Sequence, residues 1–140
     1  MTTQKNSISN AISENGAGDL WGITTYFNPA QYKRKLQNYH QFRTASKKQG
    51  LPLIVVELAF GEHKFELTKD DAEIVIQRRC NTVLWQKERL LNIALEFLPP
   101  SCTKVCWVDN DVLFENDEWV TKTSELLNIY TVVQPFQYVI

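Results

Sequence analysis

Leu53-Ile54-Val55-Val56 restricts the fold of this chain more than any other stretch, an unbroken apolar run set between Pro52 and Glu57. A strand with one wet face alternates apolar and polar residues, whereas a continuous run reads as a strand buried on both faces, as in a parallel sheet covered by helices. Residues 21–27 are rich in aromatic and β-branched side chains and stop at Asn28-Pro29, which predicts an earlier strand. Asn28 can cap, and Pro29 can occupy the first turn of, a helix to about Gln49, in which Tyr32, Leu36, Tyr39 and Phe42 recur at helical spacing before Gly50 and Pro52 end it. The first strand therefore feeds a helix that returns to the second strand.

The same alternation continues. After the polar stretch 61–71, residues 73–77 read as a short strand. Residues 84–98 read as a helix with Leu84, Leu91, Leu95 and Leu98 on one face, widened by Leu90, Ile93 and Phe97 and closed by Pro99-Pro100. A strand at 104–108, an acidic turn, a helix at 117–128 and a last strand at 131–135 complete the pattern. The expectation is an α/β domain with a mainly parallel sheet flanked by helices, in which ligands bind beyond the carboxyl ends of the strands. Residues 1–19 are polar with isolated isoleucines and predict a flexible tail, leaving 20–140 as one domain.

Fifteen Lys and Arg against sixteen Asp and Glu give a net charge of −1, so no global field draws in nucleic acid or an anionic membrane, and any bound anion must be held locally. No apolar run approaches the roughly 20 residues of a membrane span. Cys80, Cys102 and Cys106 form no Cys-x-x-Cys pair, and no charged-then-apolar leader opens the sequence, which predicts a reducing, cytoplasmic setting.

Val105-Cys-Trp-Val108 runs directly into Asp109-Asn110-Asp111, placing two carboxylates where a buried strand would emerge into the binding crevice. Two such oxygen donors suit Mg²⁺ or Mn²⁺, which take one or two carboxylates and complete their shell with substrate phosphates. The plainer reading makes Asp109 a turn cap and Asp111 a solvated charge. Lys87 and Arg89, in the first turn of the helix beginning near Trp85, either face phosphate or form a solvated charged turn. Trp85 and Trp107 are expected in the core, His40 and His63 at the surface, and Lys33-Arg34-Lys35 with Lys47-Lys48 on an exposed helix face.

Four segments in this order, Trp21-Gly-Ile-Thr-Thr-Tyr-Phe-Asn-Pro29, Leu53-Ile-Val-Val-Glu57, Trp85-Gln-Lys-Glu-Arg-Leu-Leu-Asn92 and Val105-Cys-Trp-Val-Asp-Asn-Asp111, resemble the N-terminal half of glycosyltransferases with the Rossmann-like GT-A fold. The resemblance runs from about residue 21 to 135. It implies a nucleotide-sugar donor, Mn²⁺ or Mg²⁺ held by Asp109 and Asp111, and nucleotide contacts from Thr25, Tyr26, Glu57 and Lys87 or Arg89. In the family the catalytic base of inverting members, and often a late metal ligand, come from a further part that is not visible here, so the resemblance leaves the catalytic residue unknown. The chain departs from the family at Leu58-Ala-Phe-Gly61, where many relatives carry an Asp-rich turn, and no acceptor-binding half follows Ile140. The sugar or glycan acceptor would then be met by a second chain or a further segment. Two other readings use the same residues: a nucleotide- and metal-binding remnant without catalysis, or half of a split enzyme; and a haloacid-dehalogenase-like phosphatase in which Asp109 attacks phosphorus.

Overall fold

The structure, a computed structural model, describes residues 19–139. The chain runs β1 (Leu20–Phe27), α1 (Lys33–Lys48), β2 (Leu53–Phe60), β3 (Ile74–Cys80), α2 (Lys87–Glu96), β4 (Lys104–Trp107) and α3 (Trp119–Leu126). The four strands form one sheet in the order β3-β2-β1-β4, every neighbouring pair parallel. The expected strands at 21–27, 53–56 and 104–108 are thus neighbours that end on the same side. The register aligns Ile23 with Ile54 and with Trp107.

Alternation along the strands divides the core into two. Leu20, Tyr26, Leu53, Val55, Cys106 and Val108 pack with Tyr39 and Phe42 of α1 and with Trp119 and Val120 of α3. Trp21, Ile23, Ile54, Val56 and Ile76 face the other way, onto Leu90, Leu91 and Ala94 of α2. A sheet with helices on both faces needs strands that are apolar on both faces, which is why β2 is buried throughout. Gly22 belongs to this packing: a Cβ there would stand 2.8 Å from Leu51 Cδ2 and 3.1 Å from Leu53 Cδ1. Among the described residues, no helix is long and apolar enough to cross a membrane.

Several expectations need correction. The second strand does not end at Glu57 but continues to Phe60, with Glu57 2% exposed. Its carboxylate accepts the backbone N–H of Glu66 at 2.6 Å, that of Leu67 at 3.3 Å and Gln77 Nε2 at 2.9 Å. It thereby ties down the segment 61–73, which links two parallel strands without a helix. Helix α1 starts at Lys33, because Asn28 organises a loop instead of capping. Its Oδ1 accepts the Tyr32 N–H, its Nδ2 donates to the Tyr32 carbonyl, and Gln31 takes a φ of 54°. Pro29 therefore lies outside the helix.

The helix expected over 84–98 is confined to Lys87–Glu96, with Leu84 and Leu95 exposed. Trp85 and Trp107 are surface residues, 70% and 65% exposed. Trp85 precedes α2. Trp107 stands on the α2 side of β4, the edge strand, while the apolar cluster of α2 is built with β1 and β2 residues and not with β4. Residues 131–135 form no strand, and Val132 is 84% exposed. Their β-branched pattern satisfies propensity, but a strand requires a paired neighbour. Of the expected tail, residues 1–18 lie outside the described residues, and Asp19 is anchored: its carbonyl accepts the N–H groups of Thr103 and Lys104, and its carboxylate pairs with Lys104 Nζ at 2.9 Å.

Candidate functional site

In the strand order β3-β2-β1-β4 the chain reverses direction between β1, which leads on to β2, and β4, which is reached by crossing back past β1, and ligands of parallel sheets bind beyond the carboxyl ends of the strands at such a reversal. Asp109-Asn110-Asp111 lies there. Cys106 and Val108 point to the α1 side, so the alternation directs Asp109 toward α2 and Asn110 toward α1. Asn110 is buried and donates from Nδ2 to the carbonyl of Thr25 at 2.6 Å, locking the turn to β1. Asp109 forms a salt bridge with Lys87 at the start of α2, its side chain still half exposed. Asp111 is exposed and lines a hollow of about 480 Å³ with Asn110, Tyr32 and the first residues of α1, Lys33, Arg34 and Lys35.

The acidic turn is thus flanked by the starts of two helices. Helix α1 carries three cations and no acidic residue in its first turn, and no side chain caps its N-terminus. Cations there oppose the helix dipole, an arrangement that an incoming anion relieves. Phe27, at the end of β1, bridges the two helix starts. Lys35 Nζ lies 5.5 Å from its ring centroid, and Trp85 meets it edge-to-face at 6.1 Å. The exposed Trp85 therefore sits at the mouth of the crevice.

A second hollow of about 370 Å³ opens next to the first, beyond the ends of β1 and β2, lined by Tyr26, Asn28, Glu57, His63 and Glu66 among others. Glu66 Oε2 accepts both Tyr26 Oη at 2.9 Å and Asn28 Nδ2 at 3.0 Å. Burial, and then the Glu66 carboxylate, push the Tyr26 phenol well above its ordinary value, so it acts as a neutral donor. Burial likewise raises the Glu57 carboxyl, opposed by the N–H groups it accepts.

The residues expected at the site are therefore divided. Asp109 and Lys87 meet at the crevice, and Asp111, two residues on, lines the hollow at the start of α1. Tyr26 and Glu57 line the neighbouring hollow with their polar atoms engaged in structural bonds. Thr25 is buried and contributes its carbonyl. Arg89 is exposed on α2, and the Cys80 thiol is held below its ordinary value chiefly by the Thr82 N–H and Gln86. Sequence reasoning missed Glu66, the Lys33-Arg34-Lys35 turn and Trp85. The basic run was visible, but its meeting with Asp111 depends on where α1 begins relative to β4. Burial pushes Cys106 up to about 12, and all three cysteines are unpaired.

Asp109 and Asp111 fit a hard divalent cation by donor chemistry. Both are carboxylates on one short turn, Asp109 half open to solvent and Asp111 exposed. Among the described residues no third His, Cys, Asp or Glu completes a metal-holding cluster, so phosphate and water oxygens would fill the remaining positions, as Mg²⁺ and Mn²⁺ accept. No protein-family model, no curated protein and no solved structure matches the chain.

Proposed function

We propose that this chain is the nucleotide-sugar-binding part of a metal-dependent glycosyltransferase of the GT-A type. One observation carries the reading: Asp109 and Asp111 emerge at the crevice between β1 and β4, with Lys87 on one side and the basic first turn of α1 on the other. A diphosphate needs cations and N–H donors around it, and a metal shared with it needs anionic oxygens; this arrangement offers both within one crevice. The nucleoside would lie over the adjoining hollow, whose wall presents the carboxylate of Glu66 and the side chain of His63 to a ribose or base.

Asp109 and Asp111 would hold Mn²⁺ or Mg²⁺, which when bound supplies Lewis-acid stabilisation of the departing diphosphate. Lys87 neutralises a phosphate oxygen when it exchanges Asp109 for the ligand. The reaction breaks the bond between the anomeric carbon and the diphosphate oxygen and forms one to an acceptor oxygen. The acceptor is met outside the residues described, by a further segment or a second chain.

The test compares Asp109→Asn and Asp111→Asn with the parent chain in Mn²⁺-dependent binding of uridine and guanosine diphosphates, beside a melting curve for each. As metal ligands, both weaken metal-dependent binding with little change in stability. As turn caps, each loses about 0.5–2 kcal/mol of stability while affinity stays unchanged, and that outcome removes the reading.

A further inference from the structure

Arg43 of α1 is 8% exposed, yet most of its guanidinium has no partner. Nη2 donates to Glu73 Oε1 at 2.8 Å, while Nε and Nη1 are buried and make no hydrogen bond. A guanidinium carries five N–H donors and cannot shed its charge, so burying it half-satisfied is unfavourable unless something else accepts from it. Arg43 also lines a hollow of about 510 Å³ with His40, Thr44, Lys47, Lys48 and Asp71, away from the crevice. Lys47 makes no ion pair among the described residues.

Of the acidic groups nearby, Asp71 and Glu73 already accept from other donors. Asp71 Oδ2 accepts the Thr68 N–H at 2.6 Å and Thr68 Oγ1 at 2.9 Å, and its Oδ1 faces His40 at 3.2 Å. Glu73 Oε2 accepts the Leu53 N–H at 2.7 Å. Asp70, on the rim, is exposed. We infer that this hollow is a second anion site, in which the orphaned Nε–H of Arg43 and the ammonium of Lys47 donate to the oxygens of a phosphate-type oxyanion. Nε–H and the Nη1–H groups lie on opposite edges of the guanidinium, so one oxyanion accepts from Nε–H and completes its contacts with the Lys47 ammonium. Nε is sealed from solvent in this structure, and the ligand would reach it by rearrangement of the long, flexible Lys47 and Lys48 side chains that line the same hollow. This inference is independent of the transferase reading, because no residue of the crevice takes part.

The probes are inorganic phosphate and pyrophosphate, titrated without metal into ¹⁵N-labelled chain at constant ionic strength. The Arg43 Nε–Hε resonance should shift in a saturable way together with the Thr44 and Lys47 amides, as a set separate from those of residues 33–35. Lys47→Ala should weaken this set about two- to five-fold, the size of one screened surface ion pair, and Lys47→Arg should restore it, with melting curves unchanged. The inference is overturned if Arg43 Hε stays in place while the crevice resonances saturate, since its donors then meet only water. It is equally overturned if chloride moves the same resonances as far, or if Lys47→Ala leaves their response intact.

Discussion

Glu57 is the residue whose loss this structure prices most clearly. Its carboxylate is fully buried in β2 and accepts two backbone N–H groups, from Glu66 and Leu67, and the Gln77 amide. Hydrogen bonds to a charged acceptor contribute about 1.5–3 kcal/mol each, and a buried donor left unpaired costs about 1–3 kcal/mol. Glu57→Ala removes the acceptor for both backbone groups. Leu67 is buried, whereas Glu66 is only half-buried and can recover water. The expected cost is about 3–5 kcal/mol, a large share of the roughly 5–15 kcal/mol that holds a domain together. Glu57→Gln keeps one acceptor oxygen but turns an NH₂ toward the donors, and should cost about 1–3 kcal/mol. Urea unfolding followed by tryptophan fluorescence measures both.

The same group sets a pH dependence. Burial raises its folded-state pKa above the ordinary carboxyl value, so the folded state binds the proton more tightly. Its contribution is complete below the unfolded value and is lost as pH rises through the folded one. Glu57→Gln should flatten that decline. If Glu57→Ala unfolds within about 0.5 kcal/mol of the parent, the range of an ordinary surface substitution, the segment 61–73 is held by something else and the reasoning fails.

Two further substitutions probe the frame. Gly22→Ala puts a methyl 2.8 Å from Leu51 Cδ2 and 3.1 Å from Leu53 Cδ1, and overpacking of this kind should cost about 1–3 kcal/mol by the same unfolding assay. Asp19 is held below its ordinary value first by the hydrogen bond from Lys104, so its contribution is present above the unfolded value and lost as pH falls through the folded one. An acid titration of Asp19→Asn followed by circular dichroism should lack that component.

The parallel frame was legible because a continuous apolar run such as Leu53 to Val56 has few other uses, and because β1 and β4 repeat the pattern more briefly. The extension of β2 through Glu57 was hidden. A sequence displays a charge but not the backbone N–H groups, nine and ten residues further on, that solvate it. Trp85 and Trp107 were misplaced for a related reason, since burial of an aromatic depends on whether a helix covers it, and the apolar cluster of α2 is built with β1 and β2 residues rather than β4. Residues 131–135 have a strand's composition without a strand's neighbour. At the site, Asp109 and Asp111 could be singled out by position alone, whereas the basic turn at Lys33-Arg34-Lys35 gains meaning only once the start of α1 and the end of β4 are known to share a hollow.

The account rests on a metal shared between the acidic turn and a diphosphate. Calorimetric titration of uridine diphosphate and guanosine diphosphate into the chain, with Mn²⁺ and again with excess chelator, tests this most directly. The account predicts saturable binding of at least one of them at a single site with Mn²⁺ and its loss with chelator. Binding that is equally tight without metal, or no binding of either nucleotide with it, would contradict the claim that Asp109 and Asp111 form a metal-assisted diphosphate site.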